Sequence, residues 1–205
     1  MISTAPQSGR PRRTDPDAAL ETAMKLFWAE GYDGASVARL SQAMGVPKAS
    51  LYRDHGDKRG LFMAAIDRYA RLRVPAVLRV LERPGPPAKV LEGFLLAVID
   101  LGTADPRTPG CLVACVLAEA AGADLGLRQE FRRRLHQMDD AILTCLRRFP
   151  PGTLATAPEA LAPVVAATAR GLMTQARAGE KPIALQSVAR TAAMLWCNDP
   201  SPSRE

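Results

Sequence analysis

Apolar residues recur at intervals of three and four along almost the whole chain, and no segment alternates apolar with polar long enough to make a strand. The periodicity predicts an all-α protein of about nine helices. The first is announced by Asp15-Pro16-Asp17, a cap followed by proline at the first helical position, and carries Leu20, Ala23, Met24, Phe27 and Trp28 on one face to a stop at Gly31. Two short helices follow, over about residues 36–55. In the earlier one Ser36 is the N-cap, Val37, Leu40 and Met44 form a stripe with Ala43 beside it, and Gly45 closes the helix in the left-handed conformation. In the later one Val46 anchors the turn, Pro47 takes the first helical position and Leu51 faces back to its partner.

Asp57 caps a longer helix running to about Leu81, with Pro75 inside it, where the missing N–H and the ring predict a kink or break. That break suits a junction between a head and a body, and equally a plain helix end with a new start. Further helices are expected over 87–102, 109–121, 125–149, 158–178 and 182–196, separated by joints rich in proline and glycine. The division this suggests is a helix-turn-helix domain over 1–62 and a helical body over 63–205.

What the second short helix leaves outside is Lys48 and Tyr52, one turn apart, with Ala49, Ser50 and Arg53 on the adjacent rows. A major groove admits an α-helix, and side chains near that helix's N-terminus reach base edges. The same spacing also suits a helical hairpin whose polar face is merely solvated. Composition shifts the balance, since a net charge of +6 favours a polyanionic partner. Arg10, Arg12 and Arg13 form a basic arm able to follow a DNA backbone, or else a solvated tail; Arg132 to Arg134 read as a solvated helix face. With 47% apolar and only 5% aromatic residues, the core must rest on Leu, Val and Ala.

The stretch from Arg13 to about Ile66 resembles the DNA-binding region of TetR-type transcriptional repressors. The likeness rests on LFWAEGYDGAS (Leu26 to Ser36), LSQAMGVPKASLY (Leu40 to Tyr52) and GDKRGLF (Gly56 to Phe62). It implies that Ser36 meets a phosphate, that Lys48, Ala49, Ser50 and Tyr52 lie in the groove with Arg53 alongside, and that Lys58 clamps the backbone. Two positions depart from the family's usual Leu-Tyr-x-His-Phe: Asp54 stands where His is common, and His55 where Phe packs. An aspartate beside phosphates is repulsive unless Arg53 or Lys58 pairs with it.

The resemblance further implies a homodimer joined through the last two long helices, reading a palindromic operator in double-stranded DNA and released from it by a small-molecule inducer. Leu161, Val165 and Leu172, with Val188 and Leu195, form apolar stripes suited to that dimer, although an intramolecular core would look similar. Phe94, Val98, Leu112, Cys115, Leu117, Phe131, Met138, Leu172 and Met173 are candidate walls of an inducer pocket or plain core residues, and so few polar groups accompany them that an apolar ligand is expected.

Cys111 and Cys115, one turn apart in PGCLVACVLAE, could sense oxidants or electrophiles, or could be small buried hydrophobes. No stretch reaches the ~20 apolar residues of a membrane span and the N-terminus lacks an apolar signal core, so a cytoplasmic protein without membrane partners is expected, with Cys145 and Cys197 also reduced. His55 and His136 are the only histidines, and neither a Gly-x-Ser-x-Gly, a phosphate-cradling loop nor paired metal ligands occur, so neither enzyme activity nor a cofactor is expected. The alternative to a DNA-binding regulator is an interaction protein that kept the helical pair without DNA affinity.

Overall fold

The structure, a computed structural model, describes residues 15–198; the Arg10, Arg12, Arg13 arm and the terminal SPSRE lie outside them. Four helices build the N-terminal part. Helix α1 (Pro16–Gly34) starts on Asp15, whose carboxylate accepts from the Asp17 amide at 3.1 Å, and loses helical geometry at Gly31, with φ 80° and ψ 172°. Helix α2 (Val37–Met44) is capped by the Ser36 hydroxyl and ends on left-handed Gly45, φ 64°. Helix α3 (Lys48–His55) begins one residue later than the sequence indicates, because Pro47 stays extended and serves as the cap. Helix α4 (Lys58–Leu72) starts on Asp57, which accepts from the Gly60 amide at 2.7 Å.

These helices enclose a core of Met24, Phe27, Leu40, Leu51, Phe62 and Ile66, with Phe27 and Phe62 ring to ring at 4.9 Å. The same core continues through Tyr69 of α4 into Leu112, Val116, Leu117 and Leu127. The N-terminal part therefore packs directly on the segment from Leu112 to Leu127.

The expected long helix to Leu81 is instead broken at Arg73. Helix α5 (Val74–Leu78) starts there with Pro75 in its first turn, and a 3₁₀ turn (Arg79–Glu82) follows. Proline tolerates a first turn, where its N–H would be unpaired anyway, and excludes the helix interior, so the break falls just upstream of it. Helices α6 (Pro87–Thr103), α8 (Leu125–Leu146), α9 (Pro158–Arg177) and α10 (Pro182–Leu195) make the body around Phe94, Leu95, Ile142, Val165, Leu185 and Ala189.

The segment expected as one α-helix over 109–121 is wound differently: Leu112–Leu117 form a π-helical stretch that runs into the single turn α7 (Ala118–Ala120). Wider winding lets one short segment serve two cores, since Leu112, Val113, Val116 and Leu117 enter the head core while Ala114 and Cys115 pack on the body core. Among the described residues there is no strand; one isolated antiparallel bridge joins Leu154 and Cys197.

Candidate nucleic-acid interface

The short pair is held rigidly from behind. Leu40, Met44 and Leu51 are buried, and the Ser41 hydroxyl donates to the Val46 carbonyl at 2.6 Å, fixing the turn between α2 and α3. Glu30 of α1 accepts from Nε of Arg39 at 2.6 and 2.7 Å, which ties α2 to the first helix. Sequence reasoning missed Arg39, because an exposed arginine on a short helix carries no signal of a partner nine positions back.

The outward face of α3 carries Lys48, Ala49, Tyr52 and Arg53, all exposed, with Ser50 half-buried beside them. Tyr52 leaves half of its surface open, at 50%, and no hydrogen bond or ion pair engages the side chains of Lys48 and Tyr52 among the described residues. Asp54 is paired: Arg53 Nε donates to it at 2.8 Å and the second nitrogen at 3.2 Å. The hydrogen bond from Arg53 holds the Asp54 carboxyl below its ordinary range, so it stays charged and neutralised together with its neighbour. His55, at the end of α3, is half-buried.

Ser36 is exposed at the start of α2. Lys58 is the first residue of α4, with its ammonium 4.6 Å from the centre of the Tyr32 ring and donating to the Asp33 carbonyl at 3.4 Å. Between them lies a close approach that the sequence does not signal: a Cβ on Gly60 would fall 1.9 Å from the His55 carbonyl oxygen, so only glycine lets α4 start against the end of α3.

Behind the head, a cavity of about 400 Å³ opens between α4, α5, α6, α8 and α9. Of the residues expected there, Val98, Met138 and Met173 line it, joined by Cys111. The others are placed elsewhere. Phe94 and Leu172 are buried in the body core, Leu112 and Leu117 in the head core, and Phe131 packs against the head core from α8. Cys115 points at the Met173 carbonyl, 3.6 Å away.

The cavity wall also contains arginines the sequence did not place there. Arg134, only 12% exposed, bonds Glu130 at 2.6 Å and reaches Asp67 of α4, while Arg170 bonds Asp139 at 3.0 Å. The reading of Arg132 to Arg134 as a solvated face is thus corrected at Arg134, which lies inward because the helix turns it toward α4. Burial alone would raise the Glu130 carboxyl; hydrogen bonds from Arg133 and Arg134 outweigh it and hold the group below its ordinary range.

Burial acts on the neighbouring thiols too. Burial pushes the Cys111 thiol up, with the Tyr69 hydroxyl 3.2 Å from its sulfur, and burial also raises Cys115. Raised thiols are poor nucleophiles at neutral pH, so the pair does not favour oxidant or electrophile sensing.

On the far side of the body, the expected dimer stripe divides. Leu161, Val165 and Leu172 face inward, at 2% exposure or less, because α9 packs them against α6 and α8; they are core, not surface. Val188 and Leu195 of α10 are exposed at 43% and 72%, and Val164 of α9 at 48% joins them outside.

Comparison with known proteins agrees with this geometry. A family model, "Bacterial regulatory proteins, tetR family", matches residues 19–65, which span the short pair and the start of α4. The HTH-type transcriptional repressor ComR of Escherichia coli K12 is 29% identical over 195 residues, covering 92% of this chain and 91% of its own. Among solved structures, the TetR family regulator CifR, a cysteine mutant complexed with 26 bp double-strand operator DNA, superposes with a TM-score of 0.79 at 29% identity, covering 91% of this chain and all of its own (100%). A Rhodococcus sp. RHA1 protein assigned to the TetR regulators is 30% identical over 90% of this chain and 100% of its own, with a TM-score of 0.57. With the family's model matched over the short pair and relatives matched along nearly the full length, the chain belongs to the TetR family of bacterial transcriptional regulators.

Proposed function

We propose that this regulator is a dimeric repressor that binds a palindromic operator through two copies of α3 and is released when a small, largely apolar molecule occupies the cavity. The observation that carries the reading is the outward face of α3: Lys48 and Tyr52 stand exposed and, among the described residues, unengaged on a helix whose opposite side is locked by Leu51 and the Ser41 hydroxyl. Such a face meets base edges, while Ser36 and Lys58, at the starts of α2 and α4, meet phosphates. The Arg53–Asp54 pair removes the repulsion an aspartate would otherwise bring to the backbone.

The regulator that CifR represents is seen on operator DNA, and ComR is named a repressor; both support this assignment. The head over 1–62 reads and the body over 63–205 senses and dimerises, with the outer faces of α9 and α10, at Val164, Val188 and Leu195, meeting their two-fold copies. Cysteine chemistry and catalysis play no part in this reading, and the protein works in the cytoplasm. No helix among the described residues is long and apolar enough to cross a membrane.

Selection of bound duplexes from random DNA tests the reading. A palindromic sequence is expected, retained by a folded dimer with an affinity that falls steeply with salt. A folded dimer that retains no sequence over bulk DNA would overturn it.

A further inference from the structure

Two chains of contact leave the cavity wall and end on the same residue of the head. Along the first, Cys111 lines the cavity and its sulfur lies 3.2 Å from the hydroxyl of Tyr69, whose ring stands edge-on to Trp28 at 4.9 Å and 88°. Along the second, Met173 lines the cavity one turn before Arg177, and the Arg177 guanidinium donates to the Trp28 carbonyl at 2.5 Å and to that of Pro109 at 3.4 Å. Trp28 is therefore held by its ring from α4 and by its backbone from the last residue of α9, 149 positions away.

The second grip has a local cause. Gly31 leaves helical geometry three residues after Trp28, so the Trp28 carbonyl lies in the turn just before the interruption of α1, where the regular ladder of helical bonds is broken. A cation is favoured at that negative helix end, and Arg177 supplies it.

There is little slack between this strut and the cavity. A Cβ on Gly110 would lie 2.9 Å from Cβ of Arg177 and from the Met173 carbonyl, and 3.0 Å from Sγ of Cys115, so the turn before the π-helical segment is wedged against α9. Close-packed parts of this kind shift together instead of compressing. On the head side, Glu30 lies two residues beyond Trp28 and grips Arg39 of α2, so a displaced Trp28 carries the short pair with it. Among the described residues the buried Trp28 indole N–H has no hydrogen-bond partner, so no polar bond from the ring to them resists the movement.

We propose that Trp28 is the node through which occupancy of the cavity reaches the reading pair, and that Arg177 is the positioning residue that makes the node respond. The proposal rests on the regulator reading above and adds the route by which the signal travels.

The test needs no identified ligand. Ala114→Phe places a ring in the cavity from its own wall, and Arg177→Met keeps the aliphatic stem while removing the donors. Both are made singly and together in a Trp196→Phe background, which leaves Trp28 as the reporter, the chain having two tryptophans. Far-UV circular dichroism and melting identify folded variants, and Arg177→Gln substitutes if Arg177→Met does not fold.

On the duplex selected by the unmodified protein, Ala114→Phe is expected to weaken binding about tenfold with Arg177 present and by less than about threefold when combined with Arg177→Met, a coupling read from the double-mutant cycle. The shift in Trp28 emission that Ala114→Phe causes should vanish in the same combination, and Arg177→Lys should restore part of both effects. Equal weakening with and without Arg177→Met, or an emission shift that survives Arg177→Met, overturns the proposal. If no duplex is selected at all, the regulator reading fails, and the emission measurements alone still decide whether Arg177 couples the cavity to Trp28.

Discussion

Asp54 shows how a residue that departs from a family pattern can be made harmless by its neighbour. Its carboxylate is held charged by Arg53, so Arg53→Ala leaves a bare negative charge on the face proposed to meet DNA. We expect Arg53→Ala to lose more operator affinity than a single phosphate contact explains, and Asp54→Asn in the same chain to recover most of it; a binding titration at low and high salt separates the two contributions. No pH dependence should accompany this through the neutral range: Arg53 holds the Asp54 carboxyl below its ordinary range in the unmodified protein, and without Arg53 the carboxyl returns toward the ordinary carboxylate range, where it is still ionised at neutral pH. Lys48→Ala and Tyr52→Ala should each cost about 1–3 kcal/mol and relax base preference, whereas Lys58→Ala should weaken all duplexes alike and lower the salt slope. Competition between the selected operator and point variants of it distinguishes those outcomes.

Helix starts are readable where a side chain makes the cap itself. Asp15, Ser36, Asp57 and Asp124 each accept from an amide two or three residues on, and each is a residue type that does this well. Where the tertiary environment decides, local pattern is silent. Nothing in PGCLVACVLAE distinguishes α from π winding, since the choice depends on two cores lying on opposite sides of it. The outward side of α9 is hidden from the sequence for a related reason: Leu161, Val165 and Leu172 are the more apolar stripe, and the more apolar stripe is the one the chain buries in itself. The readable part of the candidate site is the exposed face of α3, because its polar side chains stand out from an apolar frame; Arg39, Gly60, Arg134 and Arg177 act through partners distant in sequence or through backbone geometry.

The joints between helices carry their own measurable consequences. Gly60→Ala drives a Cβ into the His55 carbonyl and should destabilise the α3–α4 junction by about 1–3 kcal/mol, read as a fall of several degrees in melting temperature. The Glu130 cluster links α8 to α4 through Arg134 and Asp67, and its carboxyl is held below its ordinary range in the fold. A depressed carboxyl stabilises the fold above the pKa of the unfolded chain and loses that contribution as pH falls through the folded value. The melting temperature of Glu130→Gln should therefore lie below that of the unmodified protein at neutral pH, and the gap should narrow as pH drops below about 4.3. A gap that stays constant would mean that the carboxylate charge contributes nothing there.

Reading a palindrome requires two heads at a fixed separation, and the only large apolar side chains left outside on the last two helices are at Val164, Ile183, Val188, Met194 and Leu195 among the described residues. If the dimer forms on those faces, a charge there should separate the subunits without harming either one. Leu195, with 72% of its surface free, contributes almost nothing to its own chain's core, so Leu195→Arg combined with Val188→Asp should leave the helical content and melting of the isolated chain intact. Light scattering should then give half the mass of the unmodified protein. Because the second half-site is bound intramolecularly once the first is engaged, affinity for the full palindrome should fall by about 10²–10⁴, while affinity for a single half-site stays where it was. Leu161→Asp should behave oppositely, unfolding the body before any change of mass can be read, since that side chain is only 2% exposed. A Leu195→Arg, Val188→Asp protein that remains dimeric and keeps its operator affinity would move the interface away from these faces.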